Sequence, residues 1–133
     1  MKVLVDTPIW SAAFRRRAVV DAPPVSTLRQ LIEDGRAALV GPIRQELLSG
    51  IRDAEQCKRL KDRLAAFPDE RIERQDYERA AEYFNVCRGR GIHGSNTDFL
   101  LCAVAHRHAM PIFTDDGDFA RYSKIVGVPL FAR

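Results

Sequence analysis

Short apolar runs alternate along this chain with longer stretches of helical periodicity, and that alternation leaves few architectures open. Val3-Leu4-Val5, Ala37-Ala38-Leu39-Val40, Pro111-Ile112-Phe113-Thr114 and Val128-Pro129-Leu130-Phe131 have the length and content of buried strands. Strands separated by helices pair through crossovers rather than hairpins, which favours a mostly parallel sheet covered on both faces. The expectation is an α/β fold of three layers, α/β/α. A chain of 133 residues suits one core, so residues 1–133 are read as a single domain.

The helical segments carry their own punctuation. Pro8 suits a first turn, with Ile9, Trp10, Ala13 and Phe14 facing inward and Arg15-Arg16-Arg17 closing the helix. Ser26 is expected to cap a second helix bearing Leu28, Leu31 and Ile32, stopped by Gly35. Pro42 opens a third, ending near Gly50. A longer helix is expected from Asp53 to Phe67, with Cys57, Leu60, Leu64 and Phe67 on one face and Pro68 as its stop. Arg71-Ile72-Glu73 reads as a short strand. Asp76 is expected to cap a helix presenting Tyr77, Ala80, Ala81, Phe84 and Cys87, broken at Arg88-Gly89-Arg90-Gly91. Ser95 with Asp98 three residues on has the capping-box spacing, and Phe99, Cys102, Ala103 and His106 mark that helix's face. A last helix spans about Phe119 to Ile125.

Bulk properties narrow the function. Hydrophobic residues at 46% and charged residues at 29% describe a folded chain rather than a disordered one. A net charge of +3 permits a polyanionic partner without demanding one. Cys57, Cys87 and Cys102 show no CxxC spacing, which argues against a zinc site or a disulfide framework and fits a reducing cytoplasm. The longest apolar run, Phe99 to Ala105, is far shorter than a membrane span, so no membrane association is expected.

Four carboxylates stand out against this frame. Asp6 and Asp116 each follow an apolar strand run, and so should emerge at the carboxyl edge of the sheet, where open α/β sheets bind ligands. Glu46 lies about one turn into its helix and Asp98 in the first turn of another. Helices that begin at that edge aim their first turns at the same crevice. A lone Asp in a first turn ordinarily serves the macrodipole or a cap. Converging carboxylates repel one another unless a cation holds them, and an all-oxygen set suits Mg²⁺ or Mn²⁺. Thr7 and Ser95 could hold the carboxylates or a metal-bound water.

The segments Val3-Leu4-Val5-Asp6-Thr7-Pro8-Ile9-Trp10, Gln45-Glu46-Leu47-Leu48-Ser49-Gly50, Thr97-Asp98-Phe99-Leu100-Leu101-Cys102-Ala103-Val104-Ala105 and Phe113-Thr114-Asp115-Asp116-Gly117-Asp118-Phe119 occur in an order and spacing that resemble a PIN-domain ribonuclease, close to the VapC toxins of toxin–antitoxin pairs. The resemblance implies a central sheet of four or five strands, and Asp6, Glu46, Asp98 and Asp116 as the catalytic acids, with Asp6, Asp98 and Asp116 on the metal. Asp118 matches an auxiliary acid. Asp115 stands where the family often has a basic or small polar residue, and Asp116 keeps the Thr-x-Asp-x-Asp-Phe spacing. The resemblance further implies Mg²⁺- or Mn²⁺-dependent hydrolysis of RNA, a small cognate antitoxin and a homodimer.

Other residues have plainer readings beside functional ones. Arg88 and Arg90 are RNA-contact candidates, since backbone phosphates give affinity without sequence information. Arg15-Arg16-Arg17 reads as a solvated helix end, His93 as a loop histidine, and His106 and His108 as helix C-terminal residues. Trp10 and Phe14 read as core, with an apolar groove between the early helices as a place for an antitoxin helix. Two other classes compete: a non-catalytic RNA- or protein-binding module, which would lack one of the acids, and a phosphoryl-accepting signalling domain, which would carry its acidic pair after the first strand. A housekeeping ribonuclease without an antitoxin is the further alternative.

Overall fold

The computed structural model describes residues 1–14 and 22–132. The elements are β1 (Val3–Val5), α1 (Thr7–Phe14), α2 (Val25–Glu33), β2 (Ala37–Ala38), α3 (Gly41–Leu48), α4 (Ala54–Leu64), α5 (Arg74–Gly89), α6 (Asn96–His108), β3 (Ile112–Phe113) and α7 (Asp118–Val126). They gather into two compact units, Val5–Arg71, and Met1–Leu4 with Ile72–Arg133. The strands are parallel in the order β2-β1-β3. This is fewer than the four or five strands expected. The outermost pairings shrink to single parallel bridges, Leu39 with Asp69 and Ile112 with Leu130. Pro68 and Pro129 lie beside those bridging residues and cannot donate to a ladder, which keeps both edges short. Val128–Phe131 is therefore a bridge rather than a strand. Residues 71–73 form no strand either, because the chain that meets Leu39 is Asp69-Glu70, whose Glu70 N–H donates to the Leu39 carbonyl at 2.8 Å.

In the unit Val5–Arg71, Trp10 organises the core. It is fully buried, its indole N–H donates to the Val5 carbonyl at 3.1 Å, and its ring meets Phe67 edge-on at 5.0 Å. Ile9 is buried beside it on α1, while Ala13 and Phe14 are half-buried. Arg15, Arg16 and Arg17 lie outside the described residues. Helix α2 begins at Val25, one residue before Ser26, and no side chain caps it. Helix α4 opens at its Asp53 cap, which accepts the Glu55 N–H at 2.9 Å, and buries only Leu64 fully. Its far end is pinned from α3. Arg44 donates to the Leu64 carbonyl at 3.0 Å, to the Phe67 carbonyl and to Asp69 Oδ1 at 3.0 Å.

In the other unit, α6 buries every residue from Phe99 to Ala105, as a helix covered all round must. Helix α5 packs along it. Its cap is Glu73, not Asp76. Asp76 sits three residues on, where Oδ2 accepts the Glu73 N–H at 2.9 Å, and Arg107 from the end of α6 donates to both carboxylate oxygens at 2.7 and 2.8 Å. The buried face of α5 is Asp76, Ala80, Tyr83 and Cys87, so Tyr77 and Ala81 turn outward. The Tyr83 hydroxyl meets His106 Nδ1 at 2.6 Å. Cys87 and Cys102 are buried free thiols and Cys57 is half-buried. No helix among the described residues is long and apolar enough to cross a membrane.

Candidate active site

Asp6 is one of two buried acids among the described residues, at 6% exposure. Strand β1 ends just before it and α1 begins just after it. Its Oδ1 accepts the Thr7 N–H at 2.8 Å, while its carbonyl accepts the N–H groups of Ile9 and Trp10 at 3.1 and 3.3 Å. The helix start thus draws on both the side chain and the main chain of one residue. Thr7 then reaches across to α3, where its hydroxyl donates to Glu46 Oε1 at 2.9 Å. Within this unit the fold brings together three sequence-predicted residues, Asp6, Thr7 and Glu46, with Glu46 exposed and Asp6 sunk at the strand end.

The other unit holds a second acidic group. Ser95 caps α6, its Oγ accepting the Asp98 N–H at 3.0 Å as the capping-box spacing predicts. Asp98 is half-buried, and its Oδ2 receives the Tyr122 hydroxyl of α7 at 3.3 Å. Asp116 follows β3. Its N–H donates to Thr114 Oγ1 at 3.0 Å and its Oδ1 accepts the Asp118 N–H at 2.9 Å, which starts α7. Asp115 and Asp116 are exposed and Asp118 is half-buried.

Electrostatics tie these acids together. Burial pushes the Asp98 carboxyl above the ordinary carboxylate range, and the charge of Asp116 adds to that push; hydrogen bonds from Ser95 and Tyr122 oppose it without cancelling it. Burial likewise raises the Tyr122 hydroxyl far above its usual value, with Asp98, Asp118 and Asp116 each contributing negative charge. A site that makes Asp98 costly to ionise, and offers oxygen donors only, has the chemistry a hard divalent cation relieves. Asp98 and Asp116 fit such an ion. Among the described residues, no three His, Cys, Asp or Glu side chains stand together closely enough to hold a metal ion.

The sequence-predicted RNA contacts fall at the end of α5. Arg88 lies over the Phe84 ring at 5.5 Å, and Arg90 terminates the helix. His93 contributes its carbonyl, which lies 3.4 Å from the Tyr122 hydroxyl. Two residues were not foreseen from sequence, Tyr122 and Gly94. Tyr122 lies three residues after Phe119 and reads there as one more apolar position. Its hydroxyl acquires a role only through a carboxylate 24 residues earlier in the chain.

Comparison with known proteins adds the family. The PIN-domain profile matches residues 3–125. The chain belongs to the PIN-domain family. No curated protein sequence matches it. Among solved structures, this PIN domain is similar to FitAcB from Neisseria gonorrhoeae, with a TM-score of 0.77 at 18% identity, covering 98% of this chain and 96% of that one. It is also similar to VapBC2 from Rickettsia felis bound to a DNA fragment from their promoter, with a TM-score of 0.78 at 16% identity and 98% of each chain covered. A toxin–antitoxin complex from Klebsiella pneumoniae matches with a TM-score of 0.66 at 21% identity, over 90% of this chain and 91% of that one. At these identities the likeness is one of fold.

Proposed function

We propose that this PIN domain is a Mg²⁺- or Mn²⁺-dependent endoribonuclease and the toxin of a toxin–antitoxin pair, with residues 1–133 acting as one catalytic domain in the cytoplasm. The observation that carries the catalytic reading is the placement of Asp98 in the first turn of α6 by the Ser95 cap, with Asp116 after β3 near enough for its charge to act on it. Asp6, Glu46, Asp98 and Asp116 are the proposed catalytic acids, and Asp6, Asp98 and Asp116 the ones that would hold the metal. A bound divalent ion supplies charge neutralisation at the phosphodiester and a water of lowered pKa. The protein's share is positioning. Ser95 fixes the first turn of α6 and so the direction of Asp98. The Thr7 hydroxyl holds Glu46, leaving its other carboxylate oxygen to orient a water or accept its proton. Asp115 and Asp118 are auxiliary acids, and Arg88 and Arg90 contact the RNA backbone.

The toxin reading draws on the solved neighbours, whose names are those of FitAB, VapBC and toxin–antitoxin complexes. We assign the docking of a small antitoxin's apolar helix to the unit Val5–Arg71, in a groove of about 400 Å³ beside Phe14, Val25, Leu28 and Ile32. Trp10 is fully buried, so Phe14 alone of the two early aromatics can meet a partner. A second copy of the chain is proposed as a further partner.

Two measurements test this reading together. RNA cleavage by the purified protein should require Mg²⁺ or Mn²⁺ and stop in EDTA. Expression alone should slow growth, and co-expression with the protein of an adjacent small gene should restore it. Full cleavage in EDTA would refute the metal-dependent mechanism. An active nuclease whose expression is harmless would instead mark a housekeeping ribonuclease.

A further inference from the structure

The hydroxyl of Tyr122 sits at the one acid that α6 presents from its first turn. Tyr122 is 1% exposed, and its ring is wedged among apolar neighbours, 4.8 Å from the Phe99 ring and 5.3 Å from that of Phe119. Those contacts fix the ring, and the ring fixes where its oxygen lies. That oxygen stands 3.3 Å from Asp98 Oδ2 and 3.4 Å from the His93 carbonyl, so its single proton is shared between two acceptors. Asp98 is held by two residues: Ser95 caps its backbone N–H and also hydrogen-bonds its carboxylate, and Tyr122 meets Oδ2.

Gly94 supplies the second observation. A Cβ added there would strike the Tyr122 hydroxyl, and would lie 2.8 Å from Tyr122 Cζ and 3.0 Å from Phe99 Cε2. Contacts that short force something to move, and the aromatic rings are already packed. Gly94 has none of the positive φ that marks Gly35, Gly50, Gly91 and Gly127. It is therefore small because of the space the tyrosine takes, not because of its backbone. The loop before α6 leaves room for one hydroxyl to reach one carboxylate.

From this geometry we infer that Tyr122 is a positioning residue for the metal site, its hydroxyl orienting the Asp98 carboxylate, with Gly94 as the gap that admits it. The inference rests on the reading of Asp98 as a metal-site acid. A hydrogen bond at Oδ2 restricts rotation about the Cβ–Cγ bond, so less ordering remains to be done when a cation binds.

Mn²⁺ binding to the purified full-length protein, measured by calorimetry beside thermal melting in EDTA, tests it without relying on cleavage. Tyr122→Phe keeps the ring and deletes the oxygen; it should melt close to wild type and bind Mn²⁺ about tenfold more weakly. Gly94→Ala should weaken Mn²⁺ similarly by displacing the hydroxyl. The double variant should be no weaker than the poorer single one, since both act through one contact. Asp98→Asn tests the underlying reading by itself and should lose Mn²⁺ more completely than either. Wild-type Mn²⁺ affinity in Tyr122→Phe, with loss in Asp98→Asn, overturns the positioning role and leaves Asp98 as the metal acid. A lowered melting temperature at unchanged Mn²⁺ affinity makes Tyr122 a packing residue and overturns it equally. Undiminished affinity in Asp98→Asn removes the reading on which the inference stands.

Discussion

Asp98, a proposed catalytic acid, shows how a single residue can work against stability. Its carboxyl titrates above the ordinary range, because burial and the Asp116 charge outweigh the hydrogen bonds from Ser95 and Tyr122. The sign follows from proton linkage. A carboxyl raised in the folded state binds more protons there than in the unfolded chain, so stability falls as pH rises from the unfolded pKa through the folded one. Above the folded pKa the fold carries an ionised Asp98 at a cost. Asp98→Asn should therefore abolish cleavage and raise the melting temperature of the metal-free protein by a few degrees at pH 7, with the gain vanishing towards pH 3. Melting in EDTA across that range checks it, and a variant less stable at pH 7 would contradict it. At the neighbouring pair, Asp116→Asn should reduce cleavage more than Asp115→Asn. The opposite ranking would exchange their roles.

Helices α5 and α6 depend on a pairing that local sequence does not announce. Burial alone would raise the Asp76 carboxyl, but the Arg107 hydrogen bonds, the Glu73 N–H and the Arg107 charge together hold it below its ordinary value, with His108 adding a smaller pull. Only 2% of the Asp76 side chain is exposed, against 26% for Arg107, so losing the arginine strands a buried carboxylate. Arg107→Ala should cost about 2–3 kcal/mol in chemical denaturation, towards the lower end for a buried pair because the guanidinium is partly solvated. Asp76 has its folded pKa depressed. Its stabilisation is thus complete above the unfolded pKa and is lost as pH falls through the folded one. The gap between wild type and Arg107→Ala should narrow in strong acid, and an unchanged gap at pH 2 would show that the pair acts through packing rather than charge.

For the whole molecule, the family profile spans residues 3–125, so the PIN assignment covers nearly all of the chain. The proposed substrate is a polyanion while the proposed catalytic acids are negative, which leaves attraction of RNA to basic residues away from them. Arg88 and Arg90 at the end of α5 are the ones assigned that task. Replacing both with Ala should raise KM with little change in kcat and should reduce the slope of log affinity against log salt by about one to two units. Binding to a non-cleavable RNA at several salt concentrations measures it. An unaltered slope would place the RNA track elsewhere.

Element type and order were legible in the sequence because they rest on local chemistry. The strand runs before Asp6 and Asp116, the proline starts at Pro8 and Pro42, and the Ser95 cap all act within a few residues. Asp6 and Asp116 stood out as candidate acids for the same reason, since a carboxylate directly after an apolar strand run is visible without knowing what lies opposite. Tertiary structure decided what periodicity leaves free. A helix with apolar side chains on more than one flank can turn about its axis, and packing against α6 chose Tyr83 over Tyr77 for the buried face of α5. The partner of Asp76 lies 31 residues away, which converted an expected cap into half of a buried ion pair. The sheet's edges shrank to bridges because strand length depends on a neighbour's donors. Tyr122 is the plainest instance. Its sequence position specifies an aromatic ring on the buried side of α7, and only the folded chain brings that ring's oxygen to Asp98 and leaves Gly94 as the gap that admits it.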